Sequence, residues 1–221
     1  MMHKIISIFK KYIKLLFICV NNLMRYGMDS PTYQERIWVN PSDVNHYLSF
    51  RDRKKLFGVR NVDQLFGNVI DGDWGGYKKD YYKKNSYKHC YQRYINGRSW
   101  EDTDRFDDKM KQINLRGRVD GCSNLPELRK RYERLDKIFK QIKKEGKLRT
   151  QEQLSGIKRY FFKGKGEIEI LIDEDGTLIH GCGGNHRIAI AKILSLEQIP
   201  AKIGIVHPDG IKYLKQYRKK N

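Results

Sequence analysis

The stretch whose reading decides the fold is Gly181-Cys182-Gly183-Gly184-Asn185-His186-Arg187-Ile188-Ala189-Ile190-Ala191. Its glycines allow a sharp turn and a close approach of backbone to a ligand. An apolar, alanine-containing run follows at once, so the turn leads into a helix. The first amides of a helix have no intrahelical partner, and together with the helix dipole they favour an anion. His186 and Arg187 add side-chain donors at the same place, and the combination reads as a phosphate cradle. The same residues also admit a plainer reading. They would then be a tight strand-to-helix turn, with Asn185 as an N-cap and Arg187 in solvent.

The flanking sequence fixes what this turn connects. Upstream, Glu167 to Ile172 alternates apolar and polar residues, as a half-buried strand does. Asp173-Glu174-Asp175-Gly176 is turn-forming, and Thr177 to His180 returns as the partner strand. Downstream, a helix from Asn185 to about Leu194 precedes an apolar strand, Ile199 to Val206. The order is strand, turn, strand, glycine loop, helix, strand.

Further upstream, Ser123 or Asn124 caps a helix with Pro126 and Glu127 in its first turn. Leu128, Tyr132, Leu135, Phe139 and Ile142 form its apolar stripe, and Gly146 ends it. A second helical piece is expected around Gln151 to Phe162. Near the other end of the chain, Ile37-Trp38-Val39 is a short strand closed by Asn40-Pro41-Ser42-Asp43.

Between these parts lies a segment of different character, residues 45–122. Its loop Gly67 to Gly76 contains Asp71 and Asp73, two carboxylates two apart beside glycine. Such a pair can hold Mg²⁺ or act as a base near a phosphate, or it can simply hydrogen-bond its own turn. Tyr77, Tyr81, Tyr82, Tyr87, Tyr91 and Tyr94 then alternate loosely with lysines. Rings between cations can stack bases, and they are equally the two halves of an amphipathic helix with snorkelling lysines. Residues 98–104 give a helix start.

Residues 1–27 have the period of a basic amphipathic helix, with Ile5, Ile8, Phe9, Tyr12, Leu15, Leu16 and Cys19 on one side. The uninterrupted apolar run from Leu15 to Val20 is too short to span a bilayer. Such a segment can lie on an anionic membrane, pack on the domain as a peripheral helix, or be a disordered start.

The whole chain of 221 residues carries 45 Lys and Arg against 26 Asp and Glu, a formal charge of +19. That balance draws polyanions: nucleic acid, acidic lipid or phosphorylated small molecules. The four cysteines, Cys19, Cys90, Cys122 and Cys182, form no Cys-x-x-Cys pair. This argues against a structural zinc site or a disulfide framework and fits a reducing cytoplasm.

The C-terminal half resembles the ParB/sulfiredoxin superfamily. The residues that carry the resemblance are Gly183, Gly184, Asn185, His186 and Arg187, with Ala189 and Ala191, followed by Ile199, Pro200 and Ala201. The helix ending Ile142 to Gly146 and the strand Ile37 to Val39 look like further parts of that module. The resemblance implies an α+β fold: a ParB/sulfiredoxin-like small mixed sheet with flanking helices, plus a mainly helical insertion and the N-terminal amphipathic helix. The implied division is 1–30 for the basic segment, 36–44 and 123–207 for the module, 45–122 for the insertion, and 208–221 for a basic tail.

The resemblance also implies nucleotide phosphates at Gly183, Gly184, His186 and Arg187. Sulfiredoxins carry a nucleophilic cysteine in this loop where Asn185 stands here, and an amide cannot attack. Sulfinic acid reduction is therefore not expected. The expected activity is a kinase-like phosphotransferase using ATP, ADP or CTP with Mg²⁺ on a small hydroxyl compound. Asp71, Asp73, Glu167 and Glu169 are the candidate catalytic carboxylates, and Asp71 and Asp73 the candidate metal ligands. Glu167 and Glu169 share one strand face, which by default points to solvent. The alternatives are a ParB-like DNA-binding protein or nuclease, and a non-catalytic nucleotide-binding switch. The expected location is cytoplasmic, with membrane association through residues 1–27 as an open alternative.

Overall fold

The computed structural model describes residue 13 and residues 16–58, 65–155 and 166–218. The chain is mixed α and β, and its contacts gather it into two units. The first comprises Met1–Tyr81, Arg149–Gly184 and Glu197–Asn221; the second comprises Tyr82–Leu148 and Asn185–Leu196.

The first unit is built on a small mixed sheet. Among the described residues its strands are β1 (Arg36–Val39), β2 (His46–Tyr47), β3 (Asn68–Val69), β4 (Lys79–Asp80), β5 (Glu169–Ile172), β6 (Leu178–His180) and β7 (Ile199–Val206). They run in the order β1-β7-β5-β6-β2-β4, with β3 also paired to β7. The β5–β6 pair is the antiparallel hairpin expected from sequence, and β5 lies parallel to β7. The hairpin turn closes through Asp173 and Gly176, whose amide donates to the Asp173 carbonyl at 3.1 Å. Gly176 has φ +83°, and a Cβ there would fall 2.7 Å from the Tyr213 ring.

Strand β5 departs from expectation in one respect. All four of its residues are buried, and Glu167 and Glu169 are 2% and 0% exposed instead of facing solvent. The reason is position. With β7 on one side and β6 on the other, β5 is central, and alternation in a central strand does not guarantee a wet face.

Ser49 opens the helix α2 (Phe50–Phe57) with a capping box completed by Asp52, a pattern visible in sequence as Ser-x-x-Asp. Leu48, Leu65, Trp74, Leu171, Ile179 and Ile205 form one apolar cluster of this unit. Residues 16–26 are helical (α1). Ile18 packs with Tyr33 and Phe66, while the Asn22 side-chain amide donates to the carbonyls of Pro31 and Gly67, both at 2.7 Å. The remainder of the expected helix over 1–27 lies outside the described residues, apart from residue 13. A short helix, α6 (Gln151–Ser155), begins where the second helical piece is expected, and residues 156–162 lie outside the described residues.

The second unit is helical among its described residues: α3 (Asn85–Tyr94), α4 (Asp104–Arg116), α5 (Leu125–Glu145) and α7 (Asn185–Ile193). Asn124 caps α5 by accepting from the Glu127 amide, and Gly146 ends it in the left-handed conformation. Leu128 and Tyr132 of the expected stripe join Trp100, Phe106, Ile113 and Cys122 in the core. Tyr94 and Phe139 stack with centroids 3.8 Å apart. Part of the tyrosine-lysine stretch forms α3, where Tyr87 contacts Tyr91 and also Tyr82, which lies in the turn just before the helix. Helix α7 packs against α3 and α5.

Candidate functional site

In the first unit, the glycine loop sits over a buried ion pair. Glu169 is fully buried, and its Oε1 accepts from the Arg53 guanidinium at 2.8 Å. Its Oε2 accepts from the Cys182 amide at 2.8 Å. Arg53, itself 3% exposed, also donates to the Cys182 sulfur. The carboxylate occupies a slot between two glycines. A Cβ on Gly181 would stand 2.4 Å from one Glu169 oxygen, and a Cβ on Gly204 2.5 Å from the other.

Burial pushes the Glu169 carboxyl up, against the opposing pull of Arg53 and the Cys182 amide. Burial and the Glu169 charge push the Cys182 thiol up to about 12. A thiol so raised stays protonated near neutrality and is a poor nucleophile.

The next two glycines are accounted for by packing. Gly183 and Gly184 have φ of +80° and +54°. A Cβ on Gly183 would fall 2.4 Å from the Glu167 carbonyl oxygen, and one on Gly184 2.5 Å from Ile168 Cγ1. His180, 0% exposed, lies with Nε2 3.0 Å from the Gly183 carbonyl. Because a carbonyl only accepts, the His180 Nε2 carries the proton in this contact. The loop is thus shaped from below by Glu167, Ile168, Glu169 and His180.

In the second unit, α7 begins at Asn185. Arg187 is buried at 8% exposure, which corrects the plainer reading that places it in solvent. His186 is half-buried. Burial lowers its pKa to about 4, helped by the charges of Arg131, Arg105 and Lys109 and opposed by Asp120. Those residues come from α4, α5 and the turn between them. Lys109 is 7% exposed and pairs with Asp120 at 2.5 Å, while Arg131 donates to the Asp120 carbonyl at 3.0 Å.

Beside them, His89 is 1% exposed. It lies 4.7 Å from the Trp100 ring and 5.0 Å from the Tyr132 ring, and among the described residues neither of its ring nitrogens has a hydrogen-bond partner. Burial is the main cause that lowers its pKa to about 3, with His186, Arg105 and Lys109 adding to it. Three cations and two imidazoles therefore share one neighbourhood with two carboxylates: Asp120, which pairs with Lys109, and Asp104, whose charge opposes the lowering at His89.

The four candidate carboxylates differ in availability. Glu169 is held by Arg53, and Glu167 by Arg36 at 3.3 Å. Asp71 and Asp73 are exposed. Asp71 accepts from the Gly72 amide at 2.7 Å and lies 3.0 Å from His207 Nε2, and Asp73 accepts from the Gly75 amide at 2.8 Å. Both thus make the turn bonds that sequence allows them. Among the described residues, no group of three or more His, Cys, Asp and Glu side chains is gathered to hold a metal.

Sequence reasoning did not find Arg53, His180, His89, Arg105, Lys109 or Arg131. The capping box at Ser49 marks the helix that carries Arg53, but nothing local shows that this arginine turns inward. Compared with family models, characterised proteins and solved structures, the chain matches none.

Proposed function

We propose that the chain is a nucleotide-binding protein of ParB/sulfiredoxin-like fold. It transfers a phosphoryl group from a nucleotide to a small hydroxyl compound, with the phosphates taken at the start of α7 by Asn185, His186 and Arg187 after Gly183 and Gly184. The observation that carries this reading is the charge around His186. Burial first, and then the charges of Arg131, Arg105 and Lys109, hold the imidazole neutral, with Asp120 opposing them. Mutual repulsion of cations is tolerated where an anion is to be bound. The start of a nine-residue helix adds its N-terminal amides and dipole. The strand, loop, helix, strand order and the parallel β5–β7 pairing support the fold reading.

Phosphoryl transfer asks a protein mainly for positioning and charge stabilisation. Arg187 and the basic residues near His186 supply the charge. Neutral His186 supplies one N–H donor. Asp71 and Asp73, the exposed pair among the four candidate carboxylates, are the proposed ligands of Mg²⁺. Glu167 and Glu169, each already held by an arginine, serve to position the loop. A non-catalytic nucleotide switch is the second reading, favoured by that commitment of two of the four carboxylates to ion pairs.

The test is calorimetric titration of the full chain with ATP, ADP and CTP in Mg²⁺, beside Arg131→Ala and Arg187→Ala. Binding that weakens at least roughly tenfold in both variants is expected from the loss of a charge-assisted contact. The proton resonances of His186 should also report a rise in its pKa on binding, because a phosphate offsets the cations that lower it. A folded protein that binds none of the three nucleotides refutes the reading. Binding without transfer to any hydroxyl acceptor selects the switch.

A further inference from the structure

Helix α1 is apolar on two sides. One side is spent on docking, through Ile18 and Asn22. The other presents Leu16, Phe17, Val20, Leu23 and Met24, which are 64%, 71%, 44%, 47% and 82% exposed. At about 100° per residue these five fall within an arc of about 120°, centred opposite Ile18 and Asn22. Met28, just past the helix end, is 86% exposed. Single exposed apolar residues are ordinary, whereas a contiguous row of long ones marks a contact surface.

The charge of this segment says what the row meets. Residues 1–28 contain Lys4, Lys10, Lys11, Lys14 and Arg25 and not one Asp or Glu. A second copy of the same helix would bring like charges together, which disfavours self-association. An anionic lipid surface accepts both features, burying the apolar row at the acyl boundary and pairing the cations with headgroups. Among the described residues no helix is long and apolar enough to cross a membrane, so the contact is in the plane of the interface.

We propose that α1 is a membrane-surface anchor. It inserts Leu16, Phe17, Val20, Leu23 and Met24 into an anionic lipid surface while Ile18 and Asn22 hold it to the first unit. This inference is independent of the nucleotide reading.

The experiment is flotation of the full chain with vesicles of phosphatidylcholine alone and of phosphatidylcholine with phosphatidylserine. The variant is the double substitution Phe17→Ser and Met24→Ser. Both side chains lie outside the docking contacts, and an unchanged melting curve confirms that the variant is folded. The expected result is flotation with the anionic vesicles. It should be weaker by roughly tenfold or more for the double variant, whose buried apolar area is reduced, and weaker again at high salt. Three results would each overturn the proposal: no flotation of the folded wild type, flotation unchanged in the variant, or a dimer in solution abolished by the same substitutions. The last would assign the row to a second copy of the chain.

Discussion

Replacing Glu169 by methionine tests whether the ion pair under the glycine loop holds that loop in place. Methionine is unbranched like glutamate, so it enters the slot between Gly181 and Gly204 with little change of shape. What it removes is the acceptor for two donors. Arg53 is 3% exposed, and leaving such a buried charge without its partner costs about 3–5 kcal/mol. A chain of this size loses roughly 2–4 °C of melting temperature per kcal/mol, so the single variant should melt roughly 6–20 °C below wild type.

The double variant, Glu169→Met with Arg53→Met, removes the unpaired charge and should recover most of that loss, because apolar replacement of a buried pair is often close to neutral. The Cys182 amide still lacks an acceptor in it, so a deficit of about 1–3 kcal/mol remains. Urea denaturation at neutral pH of wild type, Glu169→Met, Arg53→Met and the double variant gives the four stabilities needed for the cycle. A single variant as stable as wild type, or a double variant no better than the worse single, refutes the assignment of the pair to holding the loop.

Two further outcomes follow from the same geometry. His89 and His186 are neutral in the native chain, with pKa values lowered to about 3 and about 4, while the unfolded chain takes up their protons below about 6.5. Stability therefore is complete above that value and falls as the pH drops toward 4, by up to about 1.4 kcal/mol per unit for each residue. His89→Phe, which suits the Trp100 and Tyr132 rings, should raise stability at pH 7 and flatten the acid side of the curve. An unchanged curve in chemical denaturation across pH 4–7 would count against its burial. Gly184→Ala places a Cβ 2.5 Å from Ile168 Cγ1 at φ +54° and should cost about 1–3 kcal/mol. Gly117→Ala, at φ +73° with open space around it, should cost about 1 kcal/mol. Equal losses in the two would show that the glycine loop is not tightly packed.

The elements most legible in sequence are those whose signals are local. Asn124 and Gly146 bracket α5 because a capping side chain and a left-handed glycine act within one turn. Ile199 to Val206 is read correctly because a continuous apolar run bounded by turns leaves few other states. The solvent face expected of Glu167 and Glu169 fails for the converse reason. Whether an alternating strand is wet depends on its neighbours in the sheet, and β7 lies some thirty residues further along the chain.

The site shows the same division. Gly183 to Arg187 is visible as a motif, but Arg53 reaches Glu169 across 116 residues, and Arg105, Lys109 and Arg131 approach His186 from helices remote in sequence. Long-range pairing of charges leaves no periodic trace.

The division of the chain at Tyr81, Leu148, Gly184 and Leu196 has a consequence for how this protein could have been assembled or altered. Helix α7 belongs with the helices of residues 82–148 although it is encoded among the strands of the other unit. A single excision of 82–148 would therefore strip α7 of α3 and α5, against which it packs, and a single transplant of that segment would arrive without its fourth helix. Gene exchange that respects the packing needs two cuts made together, one of them only twelve residues long. Neither unit is one continuous segment of the chain, so neither is a portable cassette.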